Sequence, residues 1–117
     1  MTFSDLAPES WYFTEAECSC RCGCGLARTE RGFARRLNVA RFLAACPFVI
    51  NSWCRCESHN AAVGGKPGSA HLRGLAVDIA TPNSVRRGAV LTALYAAGFT
   101  RVGVYDTHIH VDESPGA

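Results

Sequence analysis

Ser69-Ala-His71-Leu-Arg-Gly74-Leu-Ala-Val-Asp78-Ile-Ala80 sets a carboxylate inside an apolar run. Residues 75–80 read as a buried strand, with Asp78 between Val77 and Ile79. If both faces of that strand are covered, an ionised carboxylate is costly unless it is paired or metal-bound. His71 and Asp78 are too far apart to share a helix face, but a turn at Gly74 folds the segment back so that both converge. The competing account has Asp78 capping a turn or pairing with an arginine, and His71 as a loop histidine.

Outward from this stretch, the elements alternate in type. Upstream, Phe33, Leu37, Ala40 and Ala44, with Val39 and Leu43 beside them, follow helical spacing over residues 29–45. Pro47 ends that helix and leads into a short strand at 48–50. Residues 51–70 are rich in Gly, Ser, Asn and Pro and are expected to form a long loop, a feature more often functional than idle. Downstream, Pro82 suits the first turn of a second helix that carries Val85, Ala89, Leu91, Leu94 and Tyr95 to about residue 97, with Gly98 as its stop. Two strands follow, near 101–105 and 108–112, joined at Asp106-Thr107. The order predicts one α+β domain over residues 1–117, with helices on one face of a small antiparallel sheet. Residues 1–25 form an irregular, cysteine-rich arm in this reading.

The bulk properties narrow the function. A chain of 117 residues, 48% of them hydrophobic, fits one domain with one modest core and argues against disorder. A net charge of +2, with arginines paired only at Arg35-Arg36 and Arg86-Arg87, makes no basic stripe, so nucleic acid is not an expected partner. No apolar run approaches the ~20 residues that span a bilayer. The start, Met1-Thr-Phe-Ser-Asp-Leu-Ala-Pro-Glu-Ser, lacks the basic and apolar regions of a secretory signal. Synthesis in the cytoplasm and a monomeric state are therefore the expectations.

Seven cysteines is a high, odd count for such a chain. Four alternate in Cys18-Ser-Cys20-Arg-Cys22-Gly-Cys24, and two sit at Cys54-Arg-Cys56. Cys46 stands alone and reads as a core thiol at a helix end. The usual zinc hairpin has two intervening residues, not one. A second, structural metal at the cysteines is therefore open but not favoured over a reduced, partly buried cluster or disulfides formed after release.

A second constellation lies in Asp106-Thr-His108-Ile-His110-Val-Asp112. In an extended segment, residues 106, 108, 110 and 112 share one face, and Thr107, Ile109 and Val111 the other. Four titratable groups backed by an apolar face are more than a solvated strand needs. Imidazole and carboxylate suit zinc, and a catalytic site takes three protein ligands with a fourth position open. His71, Asp78 and His110 supply that set.

Ser69-x-His71-x-x-Gly74-x-Ala76-x-Asp78, followed by His108-x-His110, resembles the zinc D-alanyl-D-alanine carboxypeptidase family. That family shares its fold with phage L-alanoyl-D-glutamate endopeptidases, D-Ala-D-Ala dipeptidases and the hedgehog signalling domain. Ser52-Trp-Cys-Arg55-Cys-Glu-Ser-His-Asn60, with Val63-Gly-Gly65 after it, is similar to the family's arginine-bearing loop. The resemblance covers about residues 50–112.

It implies that His71, Asp78 and His110 bind one catalytic zinc. It also implies that Arg55 stabilises the developing oxyanion or holds a substrate carboxylate, and that Ser69 hydrogen-bonds substrate. A surface salt bridge for Arg55 and a turn hydroxyl for Ser69 are the plainer alternatives. Many relatives carry a glutamate three residues before the last ligand, where this chain has Thr107. Asp106 is the nearest carboxylate and the favoured general base, with His108 supporting the tetrahedral intermediate; the reverse assignment stays open. Asp112 reads as a solvated strand end sooner than as a partner of a ligand histidine.

The implied activity is hydrolysis of a peptide bond in bacterial peptidoglycan stem peptides, by carboxypeptidase or endopeptidase action. The cell wall would be reached after release or as part of a phage particle. The alternatives are a non-catalytic zinc module of the same fold that binds cell wall or protein, and a zinc-ribbon or redox protein centred on the cysteines.

Overall fold

The computed structural model describes residues 11–113. Part of the expected N-terminal arm, residues 1–10, lies outside the described residues. The rest of the arm is not irregular throughout. Helix α1, Glu15–Cys18, is set by a capping box: Thr14 accepts from the Glu17 amide, and Glu17 accepts from the Thr14 amide at 2.9 Å. The Thr14-x-x-Glu17 spacing was the available sign of it.

Helix α2, Arg31–Ala44, buries Phe33, Ala34, Leu37 and Ala40, one stripe at helical spacing. Val39 and Leu43, expected beside that stripe, are about half exposed. The helix stops at Ala45, which takes a left-handed conformation two residues before Pro47. Strand β1 is Val49–Ser52.

The expected loop over 51–70 is instead interrupted. Helix α3, Glu57–Ala62, begins where the Cys56 thiol accepts from the His59 amide, and a 3₁₀ helix, Ala70–Arg73, begins where Ser69 accepts from the His71 amide. A sulfur cap and six helical residues without apolar periodicity leave little trace in sequence.

Strand β2 is Ala76–Ala80, helix α4 is Ser84–Ala96, and strands β3 and β4 are Arg101–Val104 and His108–Asp112. Pro82 lies before α4 and not in its first turn; Asn83 caps the helix by accepting from the Arg86 amide at 2.8 Å. The face of α4 also differs from expectation. Val90, Ala93 and Leu94 are buried, whereas Val85 and Tyr95 are exposed.

The four strands form one antiparallel sheet in the order β1-β2-β4-β3. Alternation divides it cleanly. Val77, Ile79, Ile109 and Val111 point to one face, are fully buried, and share a core with Leu37, Phe33, Val90 and Leu94 of α2 and α4. Burying each such side chain is worth roughly 1.5–3 kcal/mol. This is the α+β architecture expected, with its two long helices on one face. Asp78, His108, His110 and Asp112 point to the other face.

Trp53 joins the two sides. It is fully buried, packs edge-on against Phe13 and Phe33, and donates from Nε1 to the Gly74 carbonyl at 3.1 Å. Thr29 Oγ1 donates to the same carbonyl at 2.9 Å. Gly74 itself has φ 70°, and a Cβ there would lie 1.9 Å from the Arg28 carbonyl oxygen. Only glycine lets the 3₁₀ helix turn into β2 this close to the entrance of α2.

Candidate metal centre

The strand register builds the first two thirds of the site. Asp78 on β2 is directly opposite His110 on β4, and also opposite Ser52 on β1. Asp78 Oδ1 and His110 Nδ1 are 2.8 Å apart. A strand slip of one residue would send both side chains into the apolar core, so burial of the opposite face fixes the pair.

His71 arrives from the 3₁₀ helix, as the turn at Gly74 requires. Its ring is almost wholly buried, and Nδ1 lies 2.6 Å from the Trp53 carbonyl oxygen. A carbonyl can only accept, so Nδ1 carries a proton and Nε2 is the nitrogen turned toward the site. That nitrogen lies 3.4 Å from Asp78 Oδ2.

Two more charged groups complete the surroundings. Arg55 donates to Ser52 Oγ at 3.1 Å, to Asn60 Oδ1 at 3.3 Å and to Asp78 Oδ2 at 3.4 Å. Asp112 is not a solvated strand end: its Oδ2 is 2.7 Å from His110 Nε2, and Arg101 donates to its Oδ1 at 2.6 Å. Burial by itself would raise the Asp78 carboxyl, but His110, hydrogen-bonded to it, and the His71 ring beside it hold it well below the usual carboxylate range. The His110 imidazole moves the other way, raised chiefly by its bond to Asp78 against the opposing effect of burial. Asp112 also titrates low, because Arg101 and His110 outweigh its burial.

These groups open onto a cleft of about 600 Å³, lined also by Ser69, Lys66, Tyr105 and His108. His108 stacks on Tyr105 with ring centroids 4.7 Å apart, and its Nδ1 is 3.0 Å from the Thr107 hydroxyl. Ser69 lines the cleft and caps the 3₁₀ helix at once. Asp106 is elsewhere. The alternation expected to include it begins only at His108, because Asp106 sits in the turn between β3 and β4. It is exposed, does not line the cleft, and its backbone carbonyl accepts from Arg87 at 2.6 Å.

The donor set fits zinc. One ligand atom from each of His71, Asp78 and His110 falls within 4.8 Å of the others. Two imidazoles and a carboxylate leave a fourth tetrahedral position to water or substrate. The Trp53 carbonyl and Asp112 hydrogen-bond His71 and His110, the kind of outer contact that orients histidines in a metal site.

A family model described as peptidase M15 matches residues 11–112. The chain belongs to the peptidase M15 family. This is the zinc D-Ala-D-Ala carboxypeptidase family whose motifs the sequence resembles, and its match covers the whole sheet, both long helices and every residue of the site. Neither the curated proteins nor the solved structures provided a match. Membership in the peptidase M15 family accounts for the zinc-type donor set and implies a peptide substrate.

Three contributors were not singled out by sequence. Trp53 fixes the His71 tautomer through its carbonyl, which no side-chain pattern reveals. Asn60 holds Arg55 and donates to the Lys66 carbonyl at 3.0 Å. Gly65 is its necessary neighbour, since a Cβ there would lie 2.0 Å from Asn60 Oδ1.

Proposed function

We propose that the chain is a zinc-dependent peptidase of peptidoglycan stem peptides, with His71, Asp78 and His110 holding the ion. The observation that carries this reading is the convergence of those three side chains, from three separate elements, at the floor of an open cleft. A bound zinc supplies Lewis acidity, lowering the pKa of water from ~15.7 to about 7 and polarising a carbonyl.

The protein's own groups do the rest. Arg55 donates toward the charge that develops on the scissile carbonyl oxygen, held in place by Ser52 and Asn60. His108, the open alternative to Asp106, takes the proton-transfer role, since Asp106 is exposed outside the cleft. It lines the cleft, and in the tautomer that donates from Nδ1 to the Thr107 hydroxyl its Nε2 accepts a proton from the attacking water and returns it to the leaving amine. Ser69 and Lys66 bind the substrate backbone and a stem-peptide carboxylate. The wall carrying Arg55, Lys66 and Arg101 suits such an acidic peptide. Action on the cell wall follows release of the protein or its carriage in a phage particle.

Digestion of purified peptidoglycan, read by mass spectrometry, tests the reading. Wild-type protein should release peptide or D-alanine in a chelator-sensitive manner, and His71→Ala should lose both the metal and the cleavage. Cleavage undiminished in metal-free protein would overturn it.

A further inference from the structure

The cysteines divide into two groups in space. Cys18 and Cys54 are core residues, and Cys46 is partly buried against that core. Cys20, Cys22 and Cys24, on the loop after α1, instead meet Cys56 at the cap of α3. All four sulfurs lie within 4.8 Å of one another, and all are free thiols.

The spacing of the sulfurs is informative. Cys20 to Cys22 is 3.5 Å, Cys22 to Cys56 is 3.7 Å, and Cys20 to Cys56 is 3.8 Å. Zinc–sulfur bonds of about 2.3 Å in a tetrahedron put the sulfurs roughly 3.8 Å apart. The Cys20, Cys22 and Cys56 sulfurs thus already have the edge lengths of one face of a tetrathiolate site, with Cys24 Sγ within 4.8 Å of each. Backbone amides of Cys56 and His59 each point at a cluster sulfur, Cys20 Sγ and Cys56 Sγ, at 3.4 Å. Such donors favour the thiolate form that a metal needs.

The local chain explains how single-residue gaps meet this geometry. Gly23 and Gly25 have φ of 86° and 87°, and the Gly23 amide donates to the Cys20 carbonyl at 3.2 Å. The chain turns between Cys20 and Gly23 and is back beside Cys20 by Leu26, whose carbonyl accepts from the Cys20 amide at 2.8 Å, so Cys22 and Cys24 stay near Cys20 where an extended strand would carry them away. Cys20 is buried while Cys22 and Cys24 are exposed, which leaves the ion a path from solvent.

We propose that Cys20, Cys22, Cys24 and Cys56 form a second, structural zinc site. Binding exchanges the four thiol protons for the ion, and no electrons move. The site clamps the segment after α1 to the residue following Arg55, and so holds the loop from which that guanidinium reaches Asp78. It stands or falls independently of the peptidase reading, because its ligands are separate from the His and Asp centre.

Elemental analysis of the full chain, purified under reducing conditions with zinc supplied, should give two zinc ions per chain. His71→Ala should retain one and Cys24→Ser, at an exposed position, should also retain one. Cobalt replacement of the zinc gives a readout that does not depend on any variant. The wild-type protein should show a thiolate-to-cobalt charge-transfer band, unchanged in His71→Ala and lost in Cys24→Ser. A single zinc that disappears with His71→Ala, or a cobalt spectrum without that band, would overturn the proposal. So would an intact mass two hydrogens light under the same conditions, which would show a disulfide in place of the ion.

Discussion

Asp78 and His110 are direct cross-strand partners on β2 and β4, with Oδ1 and Nδ1 2.8 Å apart. Their spacing is therefore a property of the sheet register, not of a loop. His71 is the one member brought by a turn, and it is buried and tied to the Trp53 carbonyl. The centre is rigid where metal geometry demands it and open only toward the cleft.

Asp112 orients His110 from the far side of the ring. Replacing it with Asn should weaken zinc binding by about 10–100-fold, the usual cost of losing an outer carboxylate. Competition with a chromogenic chelator measures this. An unchanged affinity would mean that His110 needs no such support.

Arg55 holds three partners with one planar group. Lysine keeps the charge but not the fork. Arg55→Lys should retain its His and Asp zinc while kcat/KM for peptidoglycan peptides falls by roughly 10²–10³, the range for removal of an oxyanion donor. Loss of metal in this variant would assign Arg55 to the site's assembly instead.

The metal-free protein should show a bounded pH optimum of stability. The Asp78 carboxyl is depressed on folding, so its contribution is complete above its unfolded value of about 3.9 and fades as pH falls through the folded value. His110 is raised on folding, so its contribution is complete below about 6.5 and is lost as pH rises through the folded value. Melting temperature in chelator should thus peak between about pH 4 and 6.5. His110→Ala should flatten the alkaline limb, and added zinc should reverse it, because metal binds the deprotonated ligands. An alkaline limb that survives in His110→Ala would trace to another group.

Gly74→Ala should destabilise the protein more than most single substitutions. The left-handed φ of 70° costs about 1–3 kcal/mol for a non-glycine residue. The clash with the Arg28 carbonyl adds to that, since backbone must move to relieve it. Chemical denaturation measures the loss, and a variant within about 0.5 kcal/mol of wild type would contradict the packing described.

The sequence carried the sheet and the convergence of His71, Asp78 and His110 well, for a physical reason. Asp78 within an apolar strand and alternation over residues 108–112 are statements about faces, and faces are what period-two patterns encode. Helix α2 and the order of the long elements were equally legible. What escaped depends on contacts between distant backbone atoms. Helix α3 hangs on a sulfur cap, Asp112 seemed solvated until His110 turned to it, and Asp106 slipped out of the strand face because it lies in the β3–β4 connection, residues 105–107, with β4 beginning only at His108. The cysteine geometry was hidden by glycines whose left-handed conformations no spacing rule records.

The two-faced sheet has a practical consequence for protein engineering. The strand residues that pack against α2 and α4, Val77, Ile79, Ile109 and Val111, lie on the face opposite the cleft, whereas residues 64–68, mostly exposed, border the cleft and contribute nothing to the apolar core. Doubling the length of such a segment costs only about 0.6 kcal/mol in closure entropy. A library that varies this segment while keeping Gly65 could retarget the scaffold to new peptides without reopening its interior.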